Sequence, residues 1–191
     1  MRAFALVVFS LLVMCAAPAA ALADPPTGGA TYQAEPPPPT PGVVLPGQPV
    51  VRGAVAVLLP DGTAAAPAAA PPQVQQAIWA ANTIQKLPYR YGGGHAAFIS
   101  RGYDCSGTVS FALNAAGLLK RPRDSTGFMR YGLAGPGRWI TVYAHGGHAY
   151  AVIAGLRLDT SAAGAGGGRG PRWRKTGRPA AGYKIRHPRS F

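Results

Sequence analysis

The chain has 191 residues, with 19 Lys or Arg against six Asp or Glu, which gives a net charge of +13 at neutral pH. This length allows one small domain and excludes two substantial hydrophobic cores. The charge favours a polyanionic partner, such as nucleic acid, an acidic lipid surface or an anionic cell-wall polymer.

Residues 1–23 are predicted to be a signal peptide. Arg2 supplies a positive charge, an apolar run follows it, and small residues precede Asp24 at the expected cleavage site. The apolar run is shorter than the ~20 residues that a bilayer-spanning helix needs, so we expect no transmembrane helix after cleavage. The predicted location is therefore the periplasm, the cell wall or the surrounding medium.

Cleavage at this site would remove Cys15 and leave Cys105 as the only cysteine. An exported protein with a single thiol cannot form an internal disulfide, so this thiol is either free for chemistry or incidental. The alternative is a lipoprotein anchored through Cys15. Met14 argues against an anchor, because that signal normally has a small residue before the cysteine.

Residues 24–72 are rich in Pro, Ala and Gly and are predicted to be a low-complexity linker. Inside this range, residues 50–59 are apolar enough for one or two strands, which would have to pair with a later part of the chain. Residues 73–191 have the length of one small domain and are predicted to form it.

The basic residues concentrate toward the end of the chain. Residues 73–191 contain 17 Lys or Arg against three Asp, a net charge of +14, and eight of these cations lie between Arg169 and Arg189. We predict a basic C-terminal tail that binds an anionic cell-envelope polymer, and export makes nucleic acid the less favoured partner. The alternative is a solvated surface without a partner. Glycines at 164–168 suggest a flexible joint, although Trp173 and Tyr183 could pack back onto the domain.

Two helices are predicted in the first half of this domain. In residues 73–86 apolar side chains recur at spacings of three and four, and Pro88 ends the pattern. A second helix is predicted over residues 105–116, with Asp104 as its N-cap and Gly117 as its stop signal.

Three strands are predicted after a polar loop at residues 121–126. They cover residues 139–143, 149–154 and 156–159, which are short, rich in β-branched or aromatic residues, and separated by glycine-containing turns. No helix separates these strands, so the predicted class is α+β, with N-terminal helices packed on an antiparallel sheet.

The predicted position of Cys105 is the first turn of the second helix. Unpaired backbone N–H groups and the helix dipole favour a negative charge there, and the same groups can hold a developing oxyanion. The alternative is that Cys105 is a small buried apolar residue. Its polar neighbours Asp104 and Ser106 favour the catalytic interpretation.

A thiol nucleophile needs a base, and the candidates are the four histidines of the chain. His148 is the strongest candidate, because it opens a strand after a tight glycine turn and is therefore rigidly aimed. His145 is the runner-up, His95 could line the rim of a cleft, and His187 lies among surface cations. A hairpin through the glycine at 155 would return Asp159 to the side of His148, where it could fix the imidazole tautomer.

A single cysteine and dispersed histidines do not have the spacing of a metal site, and we expect no metal and no cofactor.

Three motifs together carry a family resemblance. They are Pro88-Tyr89-Arg90-Tyr91-Gly92-Gly93, then Asp104-Cys105-Ser106-Gly107, then Gly147-His148 at the start of a strand. Over residues 73–161 the chain resembles the NlpC-type cell-wall cysteine peptidases, which are exported bacterial enzymes with a compact papain-like fold.

The resemblance implies a triad of Cys105, His148 and Asp159, the last in a position whose residue varies among family members. It also implies a substrate-binding group of Tyr89, Asp104 and Ser106, with the Tyr89 hydroxyl near the thiol and Asp104 near the amino end of the substrate. The family's usual substrate is a peptide bond in the peptidoglycan stem, commonly the link from D-glutamate to the diamino acid.

The sequence therefore predicts an exported, monomeric cysteine peptidase that hydrolyses amide bonds in peptidoglycan stem peptides. Two alternatives remain open from the sequence. One is a non-catalytic wall-binding module on the same fold, and the other is a thiol-dependent acyltransferase or amidase.

Overall fold

The structure is a computed structural model that describes residues 47–161, 170–175 and 177–191. The predicted signal peptide, Cys15, the first half of the predicted linker and the glycines at 164–168 lie outside these residues. In the described part of the chain no helix is long and apolar enough to cross a membrane.

The described residues form three helices and two sheets. The helices are α1 (Pro72–Thr83), α2 (Cys105–Ala115) and α3 (Ser125–Phe128). The strands are β1 (Val50–Val51), β2 (Val57–Leu58), β3 (Ala64–Pro67), β4 (Leu133–Ala134), β5 (Ile140–His145), β6 (His148–Ile153), β7 (Leu156–Asp159), β8 (Arg172–Lys175) and β9 (Lys184–His187).

The larger sheet has six strands in the order β4-β9-β5-β6-β7-β8, and each neighbouring pair is antiparallel. Helices α1 and α2 pack against each other, and α2 also packs on β6 and β7. Their apolar faces and the facing side chains of the sheet form one continuous core. The predicted α+β class, with helices on an antiparallel sheet, is confirmed.

Both long helices form where the sequence predicts them, with small differences at their ends. Helix α1 begins one residue before the predicted start, at a proline pair, and ends at Thr83, since the chain turns there before it reaches Pro88. Helix α2 begins at Cys105, and the side chain of Asp104 caps it as predicted. The predicted loop at residues 121–126 contains the start of the short helix α3, which Asp124 caps in the same way.

A linker over residues 47–71 is wrong, whereas the strands predicted within residues 50–59 form and pair with the later strand β3. In the smaller sheet β3 pairs with β1 in parallel and with β2 in antiparallel orientation, and all four residues of β3 are buried. The indole Nε1 of Trp79 in α1 donates to the carbonyl of Pro49 at 3.1 Å. An alanine and proline composition is typical of linkers, but small side chains also let a strand pack closely on a helix, and that happens here.

The prediction of a basic tail is also wrong for the described residues after 169. Strand β8 forms one edge of the larger sheet, and β9 lies between β4 and β5. The side chain of Trp173 is 4% exposed and belongs to the core, so this segment packs back onto the domain. Its described cations therefore lie on β8, on β9, in the segment between these strands and just after β9.

Candidate functional site

Cys105 is the first residue of α2, and its thiol is free and largely buried, with the residue 9% exposed. The Oδ1 atom of Asp104 accepts a hydrogen bond from the backbone N–H of Gly107 at 2.8 Å, which fixes the first turn of the helix. The thiol therefore lies at the positive end of the helix dipole, where a thiolate and an oxyanion are both stabilised.

His148 is the first residue of β6, and its imidazole lies between a carboxylate and the thiol. Its Nε2 atom is 2.9 Å from Oδ1 of Asp159. The Cys105 thiol is close enough to the imidazole to raise the pKa of His148. Because the carboxylate accepts the Nε2 proton, Nδ1 is the ring nitrogen that remains for the thiol. The structure thus places His148 against Asp159 and next to Cys105, and the catalytic role of the three residues stays a prediction.

The β6–β7 hairpin explains why His148 and Asp159, which are 11 positions apart in the sequence, lie next to each other. Its turn has left-handed backbone angles at Ala154 (φ 45°) and Gly155 (φ 89°), which suits a tight two-residue connection. The register then pairs Ala151 with Leu158 and brings Asp159 alongside the start of β6. The predicted return of the chain through this turn is confirmed.

The surroundings of His148 favour its charged form. Burial by itself lowers the pKa of His148, but the hydrogen bonds to Asp159 and Cys105 outweigh burial and raise the pKa to about 9. At neutral pH the imidazole therefore carries a proton. A protonated histidine beside a thiol stabilises the thiolate and can later supply a proton to a leaving amine.

The carboxylate of Asp159 is fully enclosed, with the residue 1% exposed. Ser161 donates to it twice, from its backbone N–H to Oδ1 at 2.9 Å and from its hydroxyl to Oδ2 at 2.8 Å. Burial by itself raises the pKa of Asp159, but the hydrogen bonds from His148 and Ser161 outweigh burial and keep the pKa below its usual range. Asp159 is therefore ionised beside the imidazole.

Two arginines also reach Asp159, and neither is predicted from the sequence. Nε of Arg157 lies 3.3 Å from Oδ2, and Nη1 of Arg178 lies 3.1 Å from the same oxygen. The two-residue period of a strand could have placed Arg157 on the face of Asp159. No pattern within a few residues of Arg178 predicts its contact with Asp159. Arg178 lies in the segment between β8 and β9, and only the folding of the chain brings it to that carboxylate.

Asp104, predicted to bind substrate, already has four partners inside the protein. Its oxygens accept from the backbone N–H of Gly92 at 3.0 Å and of Gly107, and from the hydroxyl of Ser106 at 3.2 Å. Nε2 of His95 lies 2.9 Å from Oδ2 of Asp104. The predicted substrate-binding residues Asp104 and Ser106 therefore lie together beside Cys105, with His95 as a neighbour that the sequence placed only at a cleft rim.

This second cluster is not a serine triad. The same Nε2 atom of His95 contacts both Ser106, at 2.9 Å, and Asp104. A Ser-His-Asp triad needs the two ring nitrogens to face different partners, so that one holds the carboxylate while the other takes the hydroxyl proton. His95 therefore acts as a polar link between the other two side chains.

A close backbone contact explains why the two glycine-containing motifs occur together. Gly107 in α2 packs directly on the turn at Gly93 and Gly94, so a Cβ atom at position 107 would overlap the Gly93 carbonyl oxygen. The backbone N–H of Asp104 also donates to that carbonyl at 3.3 Å. The turn and the start of the helix therefore form one rigid unit around Cys105.

Tyr89 stands beside this unit. Its backbone forms a parallel bridge with Tyr103, which brings it next to the helix start, and the residue is 41% exposed. Partial burial raises the pKa of the Tyr89 hydroxyl, and the negative charges of Cys105 and Asp104 raise it further. The position of the Tyr89 hydroxyl near the thiol stays a prediction.

Of the remaining two histidines, His145 pairs with His148 across the β5–β6 hairpin, with ring centroids 6.3 Å apart, and His187 lies on β9. Nδ1 of His145 accepts from the backbone N–H of Gly147 at 3.1 Å, and the His145 ring packs on Tyr183. Nδ1 of His187 lies 3.0 Å from the carbonyl oxygen of Gly135. Within the described ranges, no group of three or more His, Cys, Asp or Glu side chains is placed to hold a metal ion.

Comparison with models of known families gives no match, and neither does comparison with curated proteins. Among solved structures, the chain is similar to an NlpC/P60 family protein from Bacillus cereus, with 20% identity, a TM-score of 0.46, and coverage of 60% of this chain and 40% of that one. It is also similar to the peptidoglycan hydrolase RipB from Mycobacterium tuberculosis, with 24% identity, a TM-score of 0.47, and coverage of 60% and 64%. This chain spans less than two thirds of the length of either structure.

Proposed function

We propose that this chain is an exported cysteine peptidase that hydrolyses amide bonds in peptidoglycan stem peptides. One observation carries the proposal: Nε2 of His148 bonds Oδ1 of Asp159 at 2.9 Å, and the same imidazole lies next to the Cys105 thiol. A free thiol at a helix start, a protonated imidazole and a buried carboxylate are the parts that thiol-dependent acyl transfer needs. The substrate class rests on the motif resemblance around Tyr89 and Cys105.

In the proposed reaction the sulfur of Cys105 attacks the carbonyl carbon of the scissile amide, and the oxygen becomes negatively charged. Backbone N–H groups in the first turn of α2 stabilise that oxyanion. His148 then gives its proton to the leaving nitrogen as the C–N bond breaks, which leaves a thioester on Cys105. Asp159 holds the imidazole in the orientation that this transfer requires.

A water molecule completes the cycle. His148, now neutral, takes a proton from the water as its oxygen attacks the thioester carbonyl. The C–S bond then breaks, the acid is released, and the sulfur is again a thiolate paired with the His148 imidazolium. Acid–base assistance of this kind contributes about 10²- to 10⁴-fold to a rate.

The first test is digestion of peptidoglycan by the purified protein and by a Cys105→Ala variant. We expect the parent protein to release muropeptides and the variant to release none, because the nucleophile is absent. Ser110→Ala is the matched control, since Ser110 is a buried residue of the same helix whose hydroxyl bonds the loop at Arg123. Unchanged cleavage by Cys105→Ala would contradict the proposal.

A wall-binding module would give a different pattern. In that case the parent protein would bind peptidoglycan without cleaving it, and Cys105 would react slowly with alkylating agents near neutral pH. An acyltransferase would form amides faster than acids when an amine acceptor is added. Either pattern would replace hydrolysis as the function of this site.

A further inference from the structure

Arg178 contacts the carboxylate that holds the candidate base, yet it comes from outside the residues that carry the family resemblance. It lies in the segment between β8 and β9, whereas the resemblance covers residues 73–161. Its Nη1 atom donates to Oδ2 of Asp159 at 3.1 Å, and the same nitrogen donates to the hydroxyl oxygen of Ser161. The chain after β8 therefore takes part in the candidate site.

The donors around Asp159 divide between its two carboxylate oxygens. Oδ1 lies 2.9 Å from Nε2 of His148 and accepts from the backbone N–H of Ser161, also at 2.9 Å. Oδ2 accepts from the Ser161 hydroxyl at 2.8 Å and faces both Arg157 and Arg178. Contacts at Oδ2 oppose rotation of the carboxylate, so they keep Oδ1 aimed at the imidazole.

The guanidinium of Arg178 is itself held by two tyrosine rings. Its Cζ atom lies 5.5 Å from the ring centroid of Tyr150 and 5.6 Å from that of Tyr183. The two rings meet edge to face with centroids 5.2 Å apart, and Tyr183 also packs on His145. Cation–π contacts and hydrogen bonds together restrict the Arg178 side chain, although 29% of it is exposed. Its position is therefore set by the fold.

Arg157 does not duplicate these contacts. Its Nε atom lies 3.3 Å from Oδ2 of Asp159 but has no hydrogen-bond partner in the described chain. Of the two arginines, Arg178 is the closer to Oδ2 and also bonds Ser161. Loss of Arg178 would therefore remove a charge-assisted hydrogen bond from Oδ2.

The charges around His148 act in opposite directions. Asp159 and a Cys105 thiolate favour the imidazolium, whereas a nearby guanidinium disfavours it and draws the carboxylate charge toward Oδ2. The titratable and charged groups around this ring are Cys105 from α2, His145 from β5, Tyr150 from β6, Arg157 and Asp159 from β7, Arg172 from β8, opposite Asp159 in the register, and Arg178 and Tyr183 from the segment before β9.

We propose that Arg178 is a positioning residue, which fixes the Asp159 carboxylate at Oδ2 and limits its hold on the His148 proton. This inference rests on the proposed function, in which that proton passes to the leaving nitrogen. An imidazolium held too strongly by Asp159 is a poor acid, and one held by a mobile carboxylate is poorly aimed. Arg178 prevents both.

The test compares the full chain with its Arg178→Gln variant. NMR titration of the His148 ring follows the proton, and initial rates on a soluble stem peptide give kcat and KM. We expect Arg178→Gln to raise the pKa of His148 above that of the parent protein by about one pH unit, because a neighbouring cation is lost. The kcat should fall about tenfold with KM unchanged, because Arg178 acts through Asp159.

Two further variants separate charge from geometry. Arg178→Lys keeps the charge but loses the planar fork, so it should keep the parent titration and still lower kcat. Arg189→Gln is the matched control, since Arg189 is an exposed arginine just after β9, and it should change neither readout. If Arg178→Gln does not fold, Arg178→Lys decides, and an altered titration or an unchanged kcat in that variant would overturn the inference.

A merely structural role of Arg178 predicts the opposite sign. Its loss would then loosen the contact between Asp159 and His148, and the pKa of His148 would fall. A lower or unchanged pKa in Arg178→Gln would overturn the inference, and so would a raised KM with kcat unchanged. The titration needs no turnover. If the parent protein cleaves no peptidoglycan but Arg178→Gln raises the pKa and Arg178→Lys does not, the proposed function fails and the control of Asp159 by Arg178 stands.

Discussion

At the scale of single residues, the charges around His148 control how the site responds to pH. The imidazole is held between Cys105 and an ionised Asp159, and its pKa of about 9 keeps it protonated across the neutral range. Arg157 and Arg178 restrain the same carboxylate from the other side. A single substitution at Asp159 should therefore alter both the titration of the site and its activity.

We expect Asp159→Asn to lower the pKa of His148 from about 9, because the variant removes the charge and weakens the hydrogen bond that raise it. Peptidoglycan cleavage should fall by about 10²-fold, and the alkaline limb of its pH profile should move to lower pH. NMR titration of the His148 ring and initial rates across pH give the two readouts. Asp124→Asn, which alters only the exposed cap of α3, is the control. An unmoved titration would contradict the role given to Asp159.

Protein stability should follow the same ionisation. The pKa of His148 rises from 6.5 to about 9 on folding, so its charge stabilises the fold fully below pH 6.5, and this contribution is lost as the pH rises through about 9. We expect the Tm of the parent protein to fall more between pH 6.5 and pH 9 than the Tm of His148→Gln. Parallel pH dependence of the two proteins would show that folding leaves the His148 pKa unchanged.

At the scale of elements, the site depends on the contact between α2 and the glycine turn that precedes it. Gly107 lies against Gly93 and Gly94, and Asp104 ties the turn to the helix through Gly92. The residues that would bind substrate are thus held by backbone contacts. The strand side of the site is separate, and it depends on the β6–β7 hairpin.

Gly107→Ala tests the helix side, and two effects of opposite sign compete there. Alanine favours a helix by about 1 kcal/mol over glycine, but its Cβ would overlap the Gly93 carbonyl, and overpacking of this kind costs about 1–3 kcal/mol. We expect the steric cost to win, so that the midpoint of urea unfolding falls and cleavage weakens. Gly146→Ala is the control, because a Cβ there meets no atom within 4 Å. A rise in the midpoint for Gly107→Ala would show that the turn moves aside freely.

At the scale of the whole molecule, the smaller sheet is part of the domain core. Ala64 and Ala66 are completely buried, and Trp79 of α1 bonds to the backbone at Pro49. The predicted binding of an anionic envelope polymer stays a prediction. The described cations that would carry it lie on β8, on β9, in the segment between these strands and just after β9.

A truncation series tests the position of the domain boundary. We expect a chain that begins at residue 73 to unfold at a lower temperature than a chain that begins at residue 47, or to aggregate. The physical reason is that the longer deletion exposes the apolar face of α1 that β3 covers. Thermal unfolding followed by near-UV circular dichroism measures both. Equal Tm values for the two truncations would show that the smaller sheet adds nothing to stability.

The sequence by itself was enough to predict the three residues of the candidate triad, with the family resemblance selecting His148 among four histidines. The cap at Asp104 marks the start of α2 and therefore the position of Cys105, while a glycine turn and strand alternation mark the hairpin that joins His148 to Asp159. These signals are local, since each acts within a few residues of the position that it specifies.

Only the tertiary structure decided what surrounds the triad. His95 contacts Asp104 because of how a loop folds, and Arg178 contacts Asp159 from the segment between β8 and β9. The alanine-rich strand β3 is buried because it packs against α1. The sequence could not predict these contacts, because each depends on how distant elements are arranged. An alanine or an arginine is compatible with either a solvated or a packed position, and the sheet order and helix packing of the completed fold select between the two.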